Sequence, residues 1–306
     1  MSLKVDYIWR DGEIVPWDQG DVHLMTHSLH YGLAAFEGIR CYAQTDGGAG
    51  IFRLVEHLDR LYNTAHICLM QIPFKREQLV EGCRELVKKN GLMEGCYLRP
   101  LVYMGEGAMG IAADNPIHVA ILAWKWGAYL GEDGVKKGIR AKISSYRRAR
   151  GDAMLAKGKI TGHYVTSILA KREAMRGGYN EAILLDANGQ ISEGSGENIF
   201  VVSRGRVKTP PLGAAILEGI TRESVMQLLA EEGLPVEATA ISREELYCAD
   251  EVFLTGTAAE VTPVREVDDR KVGEGTPGPI TRRVQERYGK LVRGAVELHK
   301  DWITRV

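Results

Sequence analysis

Two residues close in the chain could do chemistry together. Lys159 lies among small and polar neighbours, Ala156-Lys157-Gly158-Lys159-Ile160-Thr161-Gly162, and Glu193 lies where a strand pattern runs into glycines. A lysine amine forms a Schiff base with an aldehyde, and a carboxylate on the next structural unit can hold a ring nitrogen protonated. Pyridoxal 5'-phosphate (PLP) needs both, because the protonated ring accepts electrons from the reacting centre. A lysine and a glutamate at this separation are more often a surface ion pair, and spacing alone does not establish the cofactor reading.

The elements that must position this pair follow from pattern. After the lysine, Tyr164, Ile168, Leu169 and Ala170 recur at helical spacing until Gly177-Gly178. The apolar run Ala182-Ile183-Leu184-Leu185, the turn Asp186-Ala187-Asn188-Gly189 and the return from Ile191 predict a hairpin, since Asn-Gly suits its tight turn. Upstream, Val5 to Trp9 and Glu13 to Val15 flank Arg10-Asp11-Gly12 as another hairpin. Phe52 to Leu69 reads as an amphipathic helix with Leu54, Leu58, Leu61, Ala65 and Leu69 on one face, and Arg76 to Lys89 as a second helix ended by Asn90-Gly91. Cys96 to Tyr103 alternates as a strand, with Tyr97, Arg99, Leu101 and Tyr103 on one face. An arginine and a tyrosine there form a carboxylate receptor, or on an edge strand simply face outward. Ile117 to Trp124 is a further strand. Downstream, Thr221 is expected to cap a helix from Arg222 to Glu232, whose start could cradle a phosphate. Ser242 opens a short helix with a capping box. Glu251 to Thr255 is a strand entering the small residues Gly256-Thr257-Ala258-Ala259, and Pro279 to His299 is a long terminal helix.

Composition narrows the class. At 306 residues, 45% hydrophobic and 26% charged, the chain can bury one large core or two moderate ones. A net charge of -1 leaves no footprint for nucleic acid, and the basic run Tyr146-Arg147-Arg148-Ala149-Arg150 reads as solvated or structural. The five cysteines contain no CxxC pair, which favours a reducing compartment over a disulfide framework. The start, MSLKVDYIWRDGE, has no apolar signal core, and the run from Val119 to Trp124 is too short to span a bilayer. A cytoplasmic protein without membrane partners is expected. His23, His27 and His30 have metal-like spacing but lack a carboxylate–His signature, and no metal is expected.

Longer strings go further. Ser192-Glu193-Gly194-Ser195-Gly196-Glu197-Asn198-Ile199-Phe200 resembles the most diagnostic segment of the class IV aminotransferases, the PLP enzymes of fold type IV. Other segments match in order: His30-Tyr31-Gly32 with Phe36-Glu37-Gly38-Ile39-Arg40, then Leu217-Glu218-Gly219-Ile220-Thr221-Arg222, then the run from Asp250 through Thr257-Ala258-Ala259-Glu260. Arg53-Leu54-x-x-His57-Leu58-x-Arg60-Leu61 is similar to the family segment whose last arginine clamps the cofactor phosphate. The resemblance covers essentially the whole chain and falls nearest the bacterial branched-chain group.

That resemblance implies an α/β protein of the α+β type, with the two-domain, D-amino acid aminotransferase-like architecture of fold type IV. It has a smaller domain over residues 1–125, an interdomain loop over 126–137 and a larger domain over 138–306, with the cofactor between them. It implies transamination between leucine, isoleucine or valine and 2-oxoglutarate. Lys159 is then the Schiff-base lysine, preferred to Lys157 because the family places it five residues before the tyrosine, here Tyr164. Tyr164 bonds the cofactor's ring oxygen and Glu193 its nitrogen. Arg60, Ile220, Thr221 and Thr257 hold the phosphate, with Gly196 and Gly256 beside the cofactor. Tyr97 and the backbone at Thr257 and Ala258 take the substrate carboxylate, and Arg99 takes the side-chain carboxylate of glutamate. Tyr31, Phe36, Gly38, Ile111, Trp126, Tyr129 and Ala258 line the side-chain pocket. A homo-oligomer, a dimer at minimum, is implied, with Tyr31 and Ile111 reaching a neighbouring subunit's pocket. D-amino acid aminotransferases and aminodeoxychorismate lyases share the core motifs. The pair Tyr97 and Arg99 and the loop from Trp126 to Tyr129 favour the branched-chain group.

Overall fold

The computed structural model of the protein describes residues 4–127 and 130–306. Along the chain come β1 (Tyr7–Arg10), β2 (Glu13–Pro16), α1 (His27–Tyr31), β3 (Ala34–Phe36), β4 (Ile39–Ala43), β5 (Ala49–Phe52), α2 (Leu54–Ile67), α3 (Arg76–Lys89), β6 (Gly95–Met104) and β7 (Ile117–Trp124). Next are α4 (Glu132–Lys137), β8 (Ile139–Arg147), α5 (Tyr164–Arg176), β9 (Glu181–Leu185), β10 (Ile191–Gly194), β11 (Asn198–Ser203), β12 (Arg206–Thr209), α6 (Ile220–Glu231) and β13 (Val236–Ala238). The chain ends with α7 (Arg243–Tyr247), β14 (Glu251–Gly256), β15 (Glu260–Val267), β16 (Arg270–Lys271), α8 (Pro279–Leu291) and β17 (Ile303–Arg305). These fall into two compact units. The first holds Met1–Trp126, Gly158–Gly162 and Lys290–Val306, and the second holds Gly127–Lys157 and His163–Gly289. Beside the expectation of one continuous C-terminal domain, residues 158–162 and 290–306 thus lie with the first unit.

The first unit is built on a sheet in the order β17-β5-β4-β6-β7-β1-β2, with β3 also paired to β6. Leu54, Leu58 and Leu61 of α2 and Leu79 and Leu86 of α3 close over Ile39, Ile51, Leu98 and Ile121 of the sheet, all buried from water. Burying apolar side chains at about 25 cal/mol per Å² is what holds helices to sheet here. Two sequence expectations are corrected. Phe52 still belongs to β5, and α2 ends before Leu69, which turns into the left-handed region (φ 56°) and is 93% exposed. The terminal helix stops at Leu291 rather than His299. Gly294 takes a φ of 66°, and the chain returns as β17 to pair Ile303 with Phe52.

The second unit is built on the sheet β10-β9-β8-β15-β14-β11-β12-β13, with β16 paired to β15. The Asn188-Gly189 hairpin joins β9 to β10, with Gly189 at φ 81°. Ile183, Ile199, Leu254 and Val267 are buried in its core, and the stacked rings of Phe200 and Phe253 lie 4.9 Å apart. Helix α6 begins at Ile220, so Thr221 sits inside the first turn and Gly219 is the N-cap, without a side-chain cap bond. Glycine is required there, because a Cβ at 219 would lie 1.9 Å from Asn198 Oδ1.

Candidate active site

In the first unit the segment carrying Lys159 is fastened by its backbone. The Phe36 N–H donates to the Lys159 carbonyl at 3.1 Å, and the Lys159 N–H donates to Thr64 Oγ1 of α2 at 3.1 Å. Thr161 Oγ1 donates to the Gly32 carbonyl at 2.6 Å. The Lys159 ammonium lies 5.0 Å from the centre of the Phe36 ring. Lys157, the rival amine, is exposed, whereas Lys159 is half-buried.

Below Phe36, Glu37 is 0% exposed. Its carboxylate receives Arg60 Nε at 2.6 Å, an Arg60 Nη at 2.8 Å and His57 Nδ1–H at 2.7 Å. Burial alone would raise its pKa, but Arg60 and His57 outweigh that and hold the carboxyl well below its ordinary range. Burial pushes the His57 imidazole below its usual value, and the charges of Arg60 and Lys159 add to this against the pull of Glu37. The group is therefore an ionised carboxylate with one guanidinium fork and one neutral imidazole.

Strands β6 and β7 supply the rest. Arg99 lies 4.7 Å from the Phe36 ring, 5.4 Å from Tyr97 and 5.9 Å from Trp124. Trp126 packs on Tyr97 at 5.4 Å and meets Trp124 edge-on at 5.9 Å. One Arg99 Nη donates to Tyr97 Oη at 3.3 Å, while Arg99 Nε is buried without a hydrogen-bond partner. Tyr97 also explains Gly38, where a Cβ would fall 1.8 Å from the tyrosine oxygen.

In the second unit Glu193 is 6% exposed. It ion-pairs with Arg148 at 3.0 Å and accepts from the Leu217 N–H at 3.1 Å and Asn198 Nδ2 at 3.3 Å. The next turn is gripped by two more buried carboxyls. Ser195 Oγ donates to Glu181 at 2.5 Å, and the Gly196 N–H donates to Glu197 at 3.1 Å. Lys171 pairs with Glu181. A side chain at Gly196 would meet nothing within 4 Å, so the space beside it is open. Helix α6 starts nearby in sequence with Ile220 and Thr221. Beyond β14 come Gly256, Thr257 and Ala258, and Thr255 Oγ1 is buried without a partner.

The profile of the family described as Amino-transferase class IV matches residues 34–267. The chain belongs to the class IV aminotransferases. It is 47% identical to the branched-chain-amino-acid aminotransferase of Pseudomonas aeruginosa and 45% identical to that of Escherichia coli K12, over 100% of this chain and 99% of each relative. Among solved structures it is similar to the Escherichia coli branched-chain enzyme (TM-score 0.96, 45% identity, 99% of both chains). It is likewise similar to the branched-chain enzyme of Thermobaculum terrenum, determined in its PLP form (TM-score 0.92, 33% identity, 99% of both chains).

Within this aminotransferase the first unit brings Lys159, Phe36, Gly38, Arg60, Tyr97, Arg99 and Trp126 onto one connected set of elements. The second carries Tyr164, Glu193, Gly196, Ile220, Thr221, Gly256, Thr257 and Ala258. Tyr31 and Ile111 are 45% and 94% exposed on the first unit. Tyr129 lies outside the described residues. Sequence reasoning missed Glu37 and His57, although both stand inside the matching strings. It also missed Trp124 and the place of Arg148, which was assigned to a solvated or structural basic run and is buried against Glu193.

Proposed function

We propose that the protein is a PLP-dependent branched-chain amino acid aminotransferase, exchanging amino groups between leucine, isoleucine or valine and 2-oxoglutarate. One observation carries the substrate class. Arg99 has no carboxylate partner among the described residues and is walled by Phe36, Tyr97 and Trp124. Those rings suit a branched alkyl chain, while the guanidinium suits the second carboxylate of glutamate, which an apolar wall alone would reject.

The residues present fit the cofactor. Lys159 supplies a half-buried amine and Glu193 a buried carboxyl. The uncapped start of α6 supplies N–H groups for a dianion, and the space beside Gly196 is open. When bound, PLP supplies an electron sink for charge developing at the substrate α-carbon. Lys159 Nζ anchors the group and afterwards carries the α-proton as base and acid. Glu193 is assigned to the ring nitrogen and Tyr164 to the ring oxygen. Arg60, Ile220, Thr221 and Thr257 are assigned to the phosphate. Tyr97 and the backbone at Thr257 and Ala258 hold the substrate carboxylate, and Tyr31, Phe36, Gly38, Ile111, Trp126, Tyr129 and Ala258 serve the side chain. The protein works in the cytoplasm as a homo-oligomer, at least a dimer. Among the described residues no helix is long and apolar enough to cross a membrane.

The test is steady-state transamination with a panel of L- and D-amino acids against 2-oxoglutarate. Turnover of L-leucine, L-isoleucine and L-valine is expected. Preference for D-substrates would overturn the reading. Borohydride reduction followed by peptide mapping should place the cofactor on Lys159, and label on Lys157 would overturn that assignment.

A further inference from the structure

We infer that Glu37 is a positioning residue for the cofactor phosphate, acting through the plane of Arg60. The proposal rests on the PLP reading above and concerns residues of the first unit. Two of the three guanidinium nitrogens of Arg60 are committed to Glu37, at 2.6 and 2.8 Å. A guanidinium is flat and rigid, so fixing Nε and one Nη fixes the direction of the other Nη. Glu37 is itself immobilised. His57 Nδ1–H holds Oε2 at 2.7 Å, the Gly38 N–H approaches the same oxygen at 3.2 Å, and the Glu37 N–H is tied to the Pro100 carbonyl at 2.9 Å. The same helix that presents Arg60 also holds the backbone of Lys159 through Thr64. Helix α2 therefore indexes the arginine and the anchoring lysine together.

The placement is informative because simple electrostatics argues against it. A carboxylate beside a phosphate-binding arginine cancels part of the charge that attracts a dianion. Its presence makes sense where direction is worth more than net charge. The two views predict opposite signs for Glu37→Gln.

The experiment uses the full-length protein, stripped of cofactor and titrated in parallel with PLP and with pyridoxal, which lacks the phosphate. Losing charge-assisted bonds of this kind weakens binding by about ten- to a hundredfold. Glu37→Gln is expected to lose that much affinity for PLP and to bind pyridoxal as the wild type does. Glu37→Asp keeps the charge and shortens the reach, and it serves if the glutamine variant does not fold. It should lose affinity for PLP alone by a smaller factor. Equal weakening for both ligands would mean a general structural role and overturn the proposal. Unchanged or tighter PLP binding would show that charge outweighs direction and overturn it as well. A wild type that binds neither ligand would refute the cofactor reading itself, and this proposal with it.

Discussion

Glu37 in the first unit and Glu197 in the second are both carboxylates almost wholly removed from water, yet their surroundings drive them in opposite directions. Glu37 meets a guanidinium fork and an imidazole N–H, and its pKa falls. Glu197 meets burial first and then the nearby carboxyls of Glu181 and Glu193. Lys171 and the Gly196 N–H only partly offset them, and its pKa is pushed up to about 8. The desolvation cost has the same sign at both sites, so the partners decide the outcome. At neutral pH the first is an ionised, fully bonded carboxylate, and the second holds its proton beneath the turn that follows Glu193.

The largest expected effect breaks the comparison from the first unit. Glu37→Leu leaves Arg60 and His57 facing each other without an anion. Removing one member of a buried pair typically costs about 3–5 kcal/mol, and a urea-unfolding midpoint would measure it. Wild-type stability should also fall in acid. Folding holds Glu37 below its ordinary pKa of 4.5, so its contribution is present above that value and lost as pH drops below it. His57, held below 6.5, takes up its proton more readily in the unfolded chain, so its share of the loss begins as pH falls under 6.5.

The next effect lies in the second unit and concerns rate rather than stability. Glu193→Gln keeps the shape and loses the charge opposite Arg148. PLP should still bind, while transamination falls a hundred- to a thousandfold, about 2.7–4 kcal/mol of barrier. Near wild-type turnover would remove Glu193 from its assigned role. Smaller again is Arg99→Ala. Arg99 is stabilised by rings rather than by an anion, so the glutamate half-reaction should lose about ten- to a hundredfold, some 1.5–3 kcal/mol, and the leucine half-reaction much less. Single-turnover kinetics separates the two. Equal losses would place Arg99 on the carboxylate that both substrates share.

What could be read in the sequence follows the range of the interaction. The Asn188-Gly189 hairpin, the Ser242 capping box and the alternation that puts Tyr97 beside Arg99 are local, and the structure has all three. The strand Ile303–Arg305 pairs with β5 across most of the chain, and no local pattern announces it. Thr221 looked like a cap by residue type, but the helix starts two residues earlier than expected, at Ile220, and Gly219 is its N-cap. Lys159 and Glu193 stood out by their neighbours and by the motif. Their supports did not, because Thr64–Lys159 and Arg148–Glu193 join residues distant in sequence. Arg148 reads with its neighbouring arginines as solvated or structural, and only folding shows that it is the one buried against Glu193.

Glu197 gives the subtlest test, because its sign is opposite to that of Glu37. The folded protein keeps a proton on Glu197 that the unfolded chain releases above the ordinary value of 4.5. Wherever the folded state binds the extra proton, stability falls as pH rises. The loss therefore runs from about 4.5 up to about 8, and levels off beyond. Glu197→Gln removes the titration and keeps an oxygen to accept the Gly196 N–H. Wild type and variant should be closely matched at the acid end of that window, with the variant the more stable at its alkaline end. One pKa unit corresponds to about 1.4 kcal/mol, and a difference of roughly that size between the two ends is the smallest that would decide the matter. Parallel curves would show that Glu197 is already ionised at neutral pH. Lys171 would then balance both carboxyls beneath the turn, and the two units would treat their buried acids alike.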